Sequence, residues 1–151
     1  MRIAKPRGVL TSGFDLVDDS GTVLGALDGS LWREGGTLHV GSDVWEVQRD
    51  GWSRFRLLRG GIDEATARSR GMFRTSLDVQ HAGRTYLLSR PSMFRRAYAV
   101  QEAGAEVGSV TPTSSFTNAA AVDLPSSMPT QLQLFIVAVV AIQWRRAQSS
   151  S

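Results

Sequence analysis

An uncharged apolar run near the end of the chain limits its fold more than any other feature. Leu132 to Trp144 contains no charged residue, and nine consecutive apolar side chains fill positions 134–142. As a helix the run would be about 20 Å long, whereas the hydrocarbon core of a bilayer is roughly 30 Å thick. Polar and proline residues precede it, and Arg145 and Arg146 end it. The run is therefore predicted to be a buried helix of a globular protein.

This helix has no polar stripe. Its apolar side chains point in every direction around the axis, so it must be surrounded on all sides, by lipid or by protein. Ser127 or Thr130 can cap its start, and the two arginines after Trp144 complement the dipole at its end. We predict a helix over about residues 128–147, followed by a disordered tail at 148–151.

The preceding part of the chain, from Gly13 to about Asp123, has the pattern of half-buried strands. Apolar residues alternate with polar ones, and turns containing glycine recur at intervals of roughly ten residues. The pattern predicts eleven or twelve short strands. Eleven can be placed, at 14–17, 22–27, 37–41, 43–49, 52–58, 64–70, 77–81, 84–89, 97–102, 106–111 and 116–122.

A seven-residue pattern occurs three times, at 45–51, 77–83 and 98–104. Each copy has a large apolar residue, a valine two positions later, a glutamine after the valine and a glycine at the seventh position. On a strand, the apolar residue and the valine share one face, and the glycine suits a turn that needs a positive φ. The copies are therefore interpreted as hairpin units. Their irregular spacing favours a meander in one closed sheet over a propeller.

A closed sheet around the helix satisfies both patterns. It supplies an apolar wall in every direction and leaves no edge strand exposed. The predicted fold is mainly β: a closed antiparallel barrel of about twelve strands that encloses a hydrophobic C-terminal helix. The chain has 151 residues, enough for one domain, which we place at 1–147.

Three of these features resemble the tubby C-terminal-like superfamily, which includes the tubby, LURP-one-related and phospholipid scramblase groups. They are the hairpins ending in Asp-Gly or Ala-Gly, the number of strands, and the final apolar helix within 125–146. The resemblance covers about Gly8 to Ala147 and implies a twelve-stranded barrel threaded by that helix.

The resemblance also implies a function without catalysis. Members of the tubby group bind phosphoinositide headgroups through Lys and Arg on the outer surface of the barrel. The scramblase group implies an alternative, a membrane-associated protein that acts on phospholipids and uses the last helix as an anchor. The chain has no Cys to match the palmitoylated cluster of the scramblases, and its one lysine is Lys5.

Basic residues are concentrated in one part of the sequence. Residues 65–100 contain seven arginines and a single acid, Asp78, a net charge of +6 within a chain of net +3. If their strands are neighbours, these guanidiniums can bind phosphate or carboxylate groups bidentately. The alternative is a solvated set scattered around the barrel. The predicted site for anionic lipid or phosphate consists of Arg68, Arg70, Arg74, Arg84, Arg90, Arg95 and Arg96.

The expected partner is an anionic phospholipid or membrane surface, or a second protein. Nucleic acid fits less well, because no recognition helix or aromatic stacking motif accompanies the arginines. Met1 to Gly13 lacks the apolar core of a secretory signal, so we expect a cytoplasmic protein that is peripheral at the membrane. The sequence leaves the natural ligand and the oligomeric state open.

No motif for catalysis or for a cofactor occurs in the sequence. The absence of Cys excludes disulfides, thiolate metal sites and Cys nucleophiles. Neither a nucleophile elbow, a P-loop nor a dinucleotide-binding glycine motif is present. His39 and His81 are far apart and lack the spacing of metal ligands. We therefore expect no enzyme activity, no cofactor and no metal.

Overall fold

The computed structural model describes residues 2–6, 13–29, 35–70, 76–90, 96–113 and 119–149. These residues form twelve strands and one helix. The elements are β1 (Arg2–Pro6), β2 (Phe14–Val17), β3 (Val23–Asp28), β4 (Gly36–Val40), β5 (Asp43–Asp50), β6 (Arg54–Arg59), β7 (Ile62–Ser69), β8 (Ser76–His81), β9 (Arg84–Ser89), β10 (Tyr98–Glu102), β11 (Ala105–Pro112), β12 (Ala120–Asp123) and α1 (Thr130–Ser149).

The strands form one closed antiparallel barrel in sequence order. Each strand pairs with its neighbours in the chain, and β1 closes the barrel by pairing with both β2 and β12. Ile3 stands opposite Val17 on one side and Ala121 on the other. The prediction of a closed barrel of about twelve antiparallel strands is confirmed. Strand β1 was absent from the sequence prediction and supplies the twelfth strand.

Helix α1 occupies the interior of the barrel. Every residue from Leu132 to Val140 is at most 2% exposed, so no face of this stretch meets solvent. The inward side chains of the strands and the helix form a single apolar cluster. At the contact with β3, a Cβ on Gly25 would lie 2.7 Å from the Leu134 Cδ1 atom, so a glycine there allows the helix to approach. The prediction of a helix buried in protein is confirmed.

The limits of α1 differ slightly from the prediction. The helix begins at Thr130, two residues after the predicted start at 128, and follows a turn in which the Met128 N–H donates to the Pro125 carbonyl at 3.0 Å. It ends at Ser149, two residues beyond the predicted end, while 150–151 lie outside the described residues. Among the described residues, no helix combines the length and the apolar character needed to cross a membrane.

The three copies of the repeat point inward as predicted. Their large apolar residues and valines are all at most 3% exposed, namely Trp45, Val47, Leu77, Val79, Tyr98 and Val100. Each glycine at the seventh position has a positive φ, between 76° and 83°. The repeat is therefore a structural unit of the barrel wall.

Successive connections alternate between the two ends of the barrel, because neighbouring strands run in opposite directions. The end where α1 begins, called here the proximal end, carries the turns after β2, β4, β6, β8 and β10 and the segment 124–129. The end where α1 finishes, called the distal end, carries the connections after β1, β3, β5, β7, β9 and β11. This alternation decides which charged residues share a surface.

Two turns at the proximal end hold an alanine in a strained conformation. Ala82 has a φ of 50° and Ala103 a φ of 54°, and each is followed by a glycine that also has a positive φ. Two successive positive φ values are typical of a type I′ hairpin turn, which favours Asn-Gly. An L-residue other than Gly, Asn or Asp in the left-handed region costs roughly 1–2 kcal/mol.

Replacing either alanine by asparagine is therefore expected to stabilise the protein. We expect Ala82→Asn and Ala103→Asn each to raise the free energy of unfolding by about 0.5–1 kcal/mol in urea titrations. Ala82→Val is the control and should lower it, because a β-branched residue is disfavoured at positive φ. Equal stabilities for the asparagine and valine variants would contradict the assigned turn.

Candidate functional site

All but two of the charged residues that the structure describes belong to one end of the barrel or the other. The exceptions, Glu46 and Arg56, lie in the middle of β5 and β6. The distal end has nine basic side chains: Lys5, Arg49, Arg54, Arg68, Arg70, Arg90, Arg96, Arg145 and Arg146. It has four acidic ones: Asp15, Asp28, Asp50 and Asp78. The proximal end has three basic side chains, Arg2, Arg59 and Arg84, and eight acidic ones: Asp18, Asp19, Asp43, Asp63, Glu64, Glu102, Glu106 and Asp123.

Over these described residues the distal end carries a net charge of +5 and the proximal end a net charge of −5. The two ends are about 15 Å apart along the barrel axis, the projection of a tilted six-residue strand. Charges in solution are screened over about 8–10 Å at physiological ionic strength. Each end therefore presents its own electrostatic field to a partner. The two charges have opposite signs, so they nearly cancel in the net charge of the whole chain.

The predicted arginine site is only partly brought together. Four of its residues, Arg68, Arg70, Arg90 and Arg96, lie at the distal end. Arg84 lies at the proximal end, where its Nε is 3.7 Å from a carboxylate oxygen of Glu102. Arg74 and Arg95 fall outside the described residues.

Arg70 and Arg54 form ion pairs with acids of the distal end. Arg70 Nε donates to Asp78 Oδ2 at 2.6 Å, and Arg54 Nη1 lies 3.5 Å from Asp50 Oδ2. Exposed pairs of this kind contribute about 0–1 kcal/mol to stability, so they do not explain why arginines accumulate here. Arg68 is exposed and stands opposite both Arg54 and Asp78 in the sheet.

An arginine and tryptophan cluster marks the β5–β6 turn at the distal end. The Arg146 guanidinium, from the last turns of α1, lies 3.8 Å from the ring centroid of Trp52, and that of Arg49 lies 5.8 Å from it. Arg146 also lies 5.5 Å from the ring of Phe55, which is fully buried. These contacts are within cation–π range and fix the end of α1 against the turn.

A second such contact lies where the chain enters β10. The Trp144 Nε1 atom donates to the Arg96 carbonyl at 2.6 Å, and the Arg96 guanidinium lies 5.3 Å from the Trp144 ring. The Arg96 Nη2 atom is buried and has no hydrogen-bond acceptor within the described part of the chain. Burial raises the pKa of nearby Tyr98, and the positive charge of Arg90 opposes that shift. Arg96 thus joins the entry of β10 to the end of α1 through the Trp144 ring.

A surface cavity of about 350 Å³ lies near the proximal end, between β7, β8 and β9. It is lined by polar side chains that include Asp63, Glu64 and His81. The Glu64 carboxylate accepts from Trp45 Nε1 at 3.0 Å and Gln131 Nε2 at 3.2 Å, and lies 3.4 Å from His81 Nε2. Its oxygens are occupied by bonds that join α1 to the barrel, which is a structural role.

In the described part of the chain, no group of three or more His, Asp and Glu side chains could hold a metal ion. His39 instead pairs with a neighbouring strand, with its Nε2 atom 3.0 Å from Asp28 Oδ2. The two histidines are thus placed in separate contacts with single carboxylates.

Sequence reasoning missed four arginines of the distal end, Arg49, Arg54, Arg145 and Arg146, because they lie outside the basic segment 65–100. The signal that could have found them is the alternation of turns between the ends of an antiparallel barrel. Sorting the charges by the direction of their strands would have grouped the arginines of β5, β6 and α1 with those in or next to β7, β9 and β10.

No family model matches the chain, and neither a curated protein nor a solved structure matches it. The closed barrel of twelve antiparallel strands with a C-terminal helix is consistent with a tubby-like barrel fold.

Proposed function

We propose that this protein is a non-enzymatic member of the tubby C-terminal-like superfamily that binds anionic phospholipid surfaces through the distal end of its barrel. The number of strands, their closed order and the helix in the interior support the family assignment.

The separation of charge along the barrel axis is the observation that carries the binding proposal. Among the described residues, nine basic side chains gather at one end, on or next to six strands and on α1, with four acids among them. A Lys or Arg close to an anionic membrane surface contributes about 1 kcal/mol to binding. A net charge of +5 on one end is therefore sufficient for reversible attachment, and the acidic opposite end directs which end approaches.

The alternative drawn from the scramblase group is a membrane-associated protein anchored by its last helix. Such an anchor would require α1 to leave the barrel, since 132–140 are buried on every side. Attachment through the distal end needs no such rearrangement, because its charged side chains lie at the ends of strands. The structure therefore gives more support to peripheral binding.

Vesicle co-sedimentation tests this proposal. We expect the protein to sediment with vesicles that contain phosphatidylserine and phosphatidylcholine, and not with phosphatidylcholine alone. Arg68 and Arg145 are both exposed. Because each removed charge weakens binding by about 1 kcal/mol, the double variant Arg68→Gln and Arg145→Gln should lose roughly 30-fold in affinity.

The matched control removes the same two charges from the proximal end. Arg59→Gln combined with Arg84→Gln has the same net charge as the distal variant, and both arginines are exposed. Its affinity should stay within about twofold of the unchanged protein, because screening isolates the two ends. Equal losses in the two variants, or equal binding to neutral vesicles, would count against a distal site.

A further inference from the structure

Trp52 is the most exposed tryptophan that the structure describes. It is 59% exposed, whereas Trp45 and Trp144 are 3% and 2% exposed. It lies on the β5–β6 turn, among the basic side chains of the distal end. The most exposed large aliphatic side chains, Val23, Val44 and Ile62, lie instead on strands next to the proximal turns.

The ring of Trp52 is held in place by two cations. Arg146 approaches it from the end of α1 at 3.8 Å and Arg49 from β5 at 5.8 Å. A positive φ of 76° at Gly51 and the ion pair between Asp50 and Arg54 shape the turn that carries it. An exposed indole that is fixed in this way loses little conformational freedom when it binds.

The chemistry of Trp52, Arg49 and Arg146 suits the headgroup layer of a membrane. Indole rings accumulate at the membrane interface, because their apolar body and polar N–H suit its two environments. Guanidiniums bind phosphates bidentately and can remain stacked on an aromatic ring at the same time. A soluble phosphate needs only the guanidiniums, whereas the surface of a lipid bilayer uses all three side chains.

We propose that Trp52 enters the headgroup layer of an anionic bilayer while Arg49 binds a lipid phosphate beside it and Arg146, whose Nε and Nη2 atoms are buried, stays stacked on the ring. This inference rests on the proposed function and adds to it a residue that inserts and an orientation. The barrel stands with the distal end on the membrane, and the acidic proximal end points away from the anionic surface. The occupant is the phospholipid bilayer itself.

Quenching by brominated lipids tests the insertion directly. The protein is prepared as Trp32→Phe, because Trp32 lies outside the described residues and would add its own emission. Of the three remaining indoles, Trp45 and Trp144 are buried in the barrel. Vesicles of phosphatidylserine and brominated phosphatidylcholine should quench up to about one third of the emission, compared with unbrominated vesicles, because one interfacial indole is in reach.

A pair of variants tests the contribution of Trp52 to affinity. Trp52→Ala should weaken binding to phosphatidylserine vesicles about tenfold, and Trp52→Phe should weaken it less, because a ring remains over the guanidiniums. The control is Ile62→Ala, which removes a 74% exposed apolar side chain from the proximal end and should leave binding unchanged. Thermal unfolding of each variant verifies that the barrel is intact.

The outcomes separate this inference from the function on which it rests. Sedimentation of the Trp32→Phe protein without quenching would overturn the insertion of Trp52 and leave binding by the distal end in place. Binding that is unchanged in Trp52→Ala would also overturn it. If the protein does not sediment with anionic vesicles at all, the proposed function and this inference both fail.

Discussion

Replacing Phe135 by alanine is expected to lower the free energy of unfolding by about 3–5 kcal/mol, as is typical when a buried aromatic side chain is truncated in a packed core. Phe135 is fully buried on a helix whose every face contacts the barrel wall. The wall is a closed sheet held by twelve strand pairs, so it cannot collapse around the cavity as a loop could. Equilibrium unfolding in urea measures the change.

Two further variants serve as controls for Phe135→Ala. Phe135→Leu keeps most of the side-chain volume and should lower the free energy of unfolding by less than about 2 kcal/mol. Ile62→Ala removes an exposed apolar side chain and should change it by no more than about 0.5 kcal/mol. A loss below 1 kcal/mol for the alanine variant of Phe135 would be inconsistent with a helix that forms the core.

Gln133 is the second position at which a single substitution should have a large effect. Its side chain is fully buried and makes three hydrogen bonds. Its Oε1 atom accepts from Arg2 Nη1 at 2.7 Å, and its Nε2 atom donates to the carbonyls of Met128 at 3.0 Å and Pro125 at 3.2 Å. Gln133→Leu keeps an apolar stem but removes all three bonds, so we expect a loss of about 2–4 kcal/mol.

The control for Gln133 is the other glutamine at the start of α1. Gln131 is only partly buried and makes one bond, from its Nε2 atom to Glu64 Oε2 at 3.2 Å. Gln131→Leu should lower the free energy of unfolding by about 1 kcal/mol or less. In a double-mutant cycle with Arg2→Met, the losses at Gln133 and Arg2 should be less than additive. Additive losses would show that the bond between them contributes nothing.

The barrel and its helix could be predicted from the sequence because local patterns dictate them. Alternation marks eleven strands, and a run without any polar stripe requires a wall on every side. Strand β1 had no such signal. Within 2–5, the part of β1 whose burial is described, Ala4 is buried and Ile3 is 38% exposed. Its strand conformation depends on pairing with β2 and β12. The sequence of a five-residue segment does not indicate such long-range pairing.

The candidate site was harder to predict, because residues that are close in sequence can lie at opposite ends of an antiparallel barrel. The basic segment 65–100 crosses the barrel several times, so it leaves Arg84 at one end and Arg68 and Arg96 at the other. Arg49 and Arg146 come from elements far away in sequence and meet on Trp52. The charge of each end follows from the direction of the strands, and it became visible only when the order of the strands was known.

The position of α1 after all twelve strands has a consequence for how the chain reaches its native state. The closing pair of β1 and β12 joins Arg2 to Val122, and the element that fills the interior follows both strands in the chain. Contacts between such distant residues slow folding, because the chain must lose entropy before they form. The apolar interior of the barrel can therefore be filled only after the twenty residues of α1 have been made.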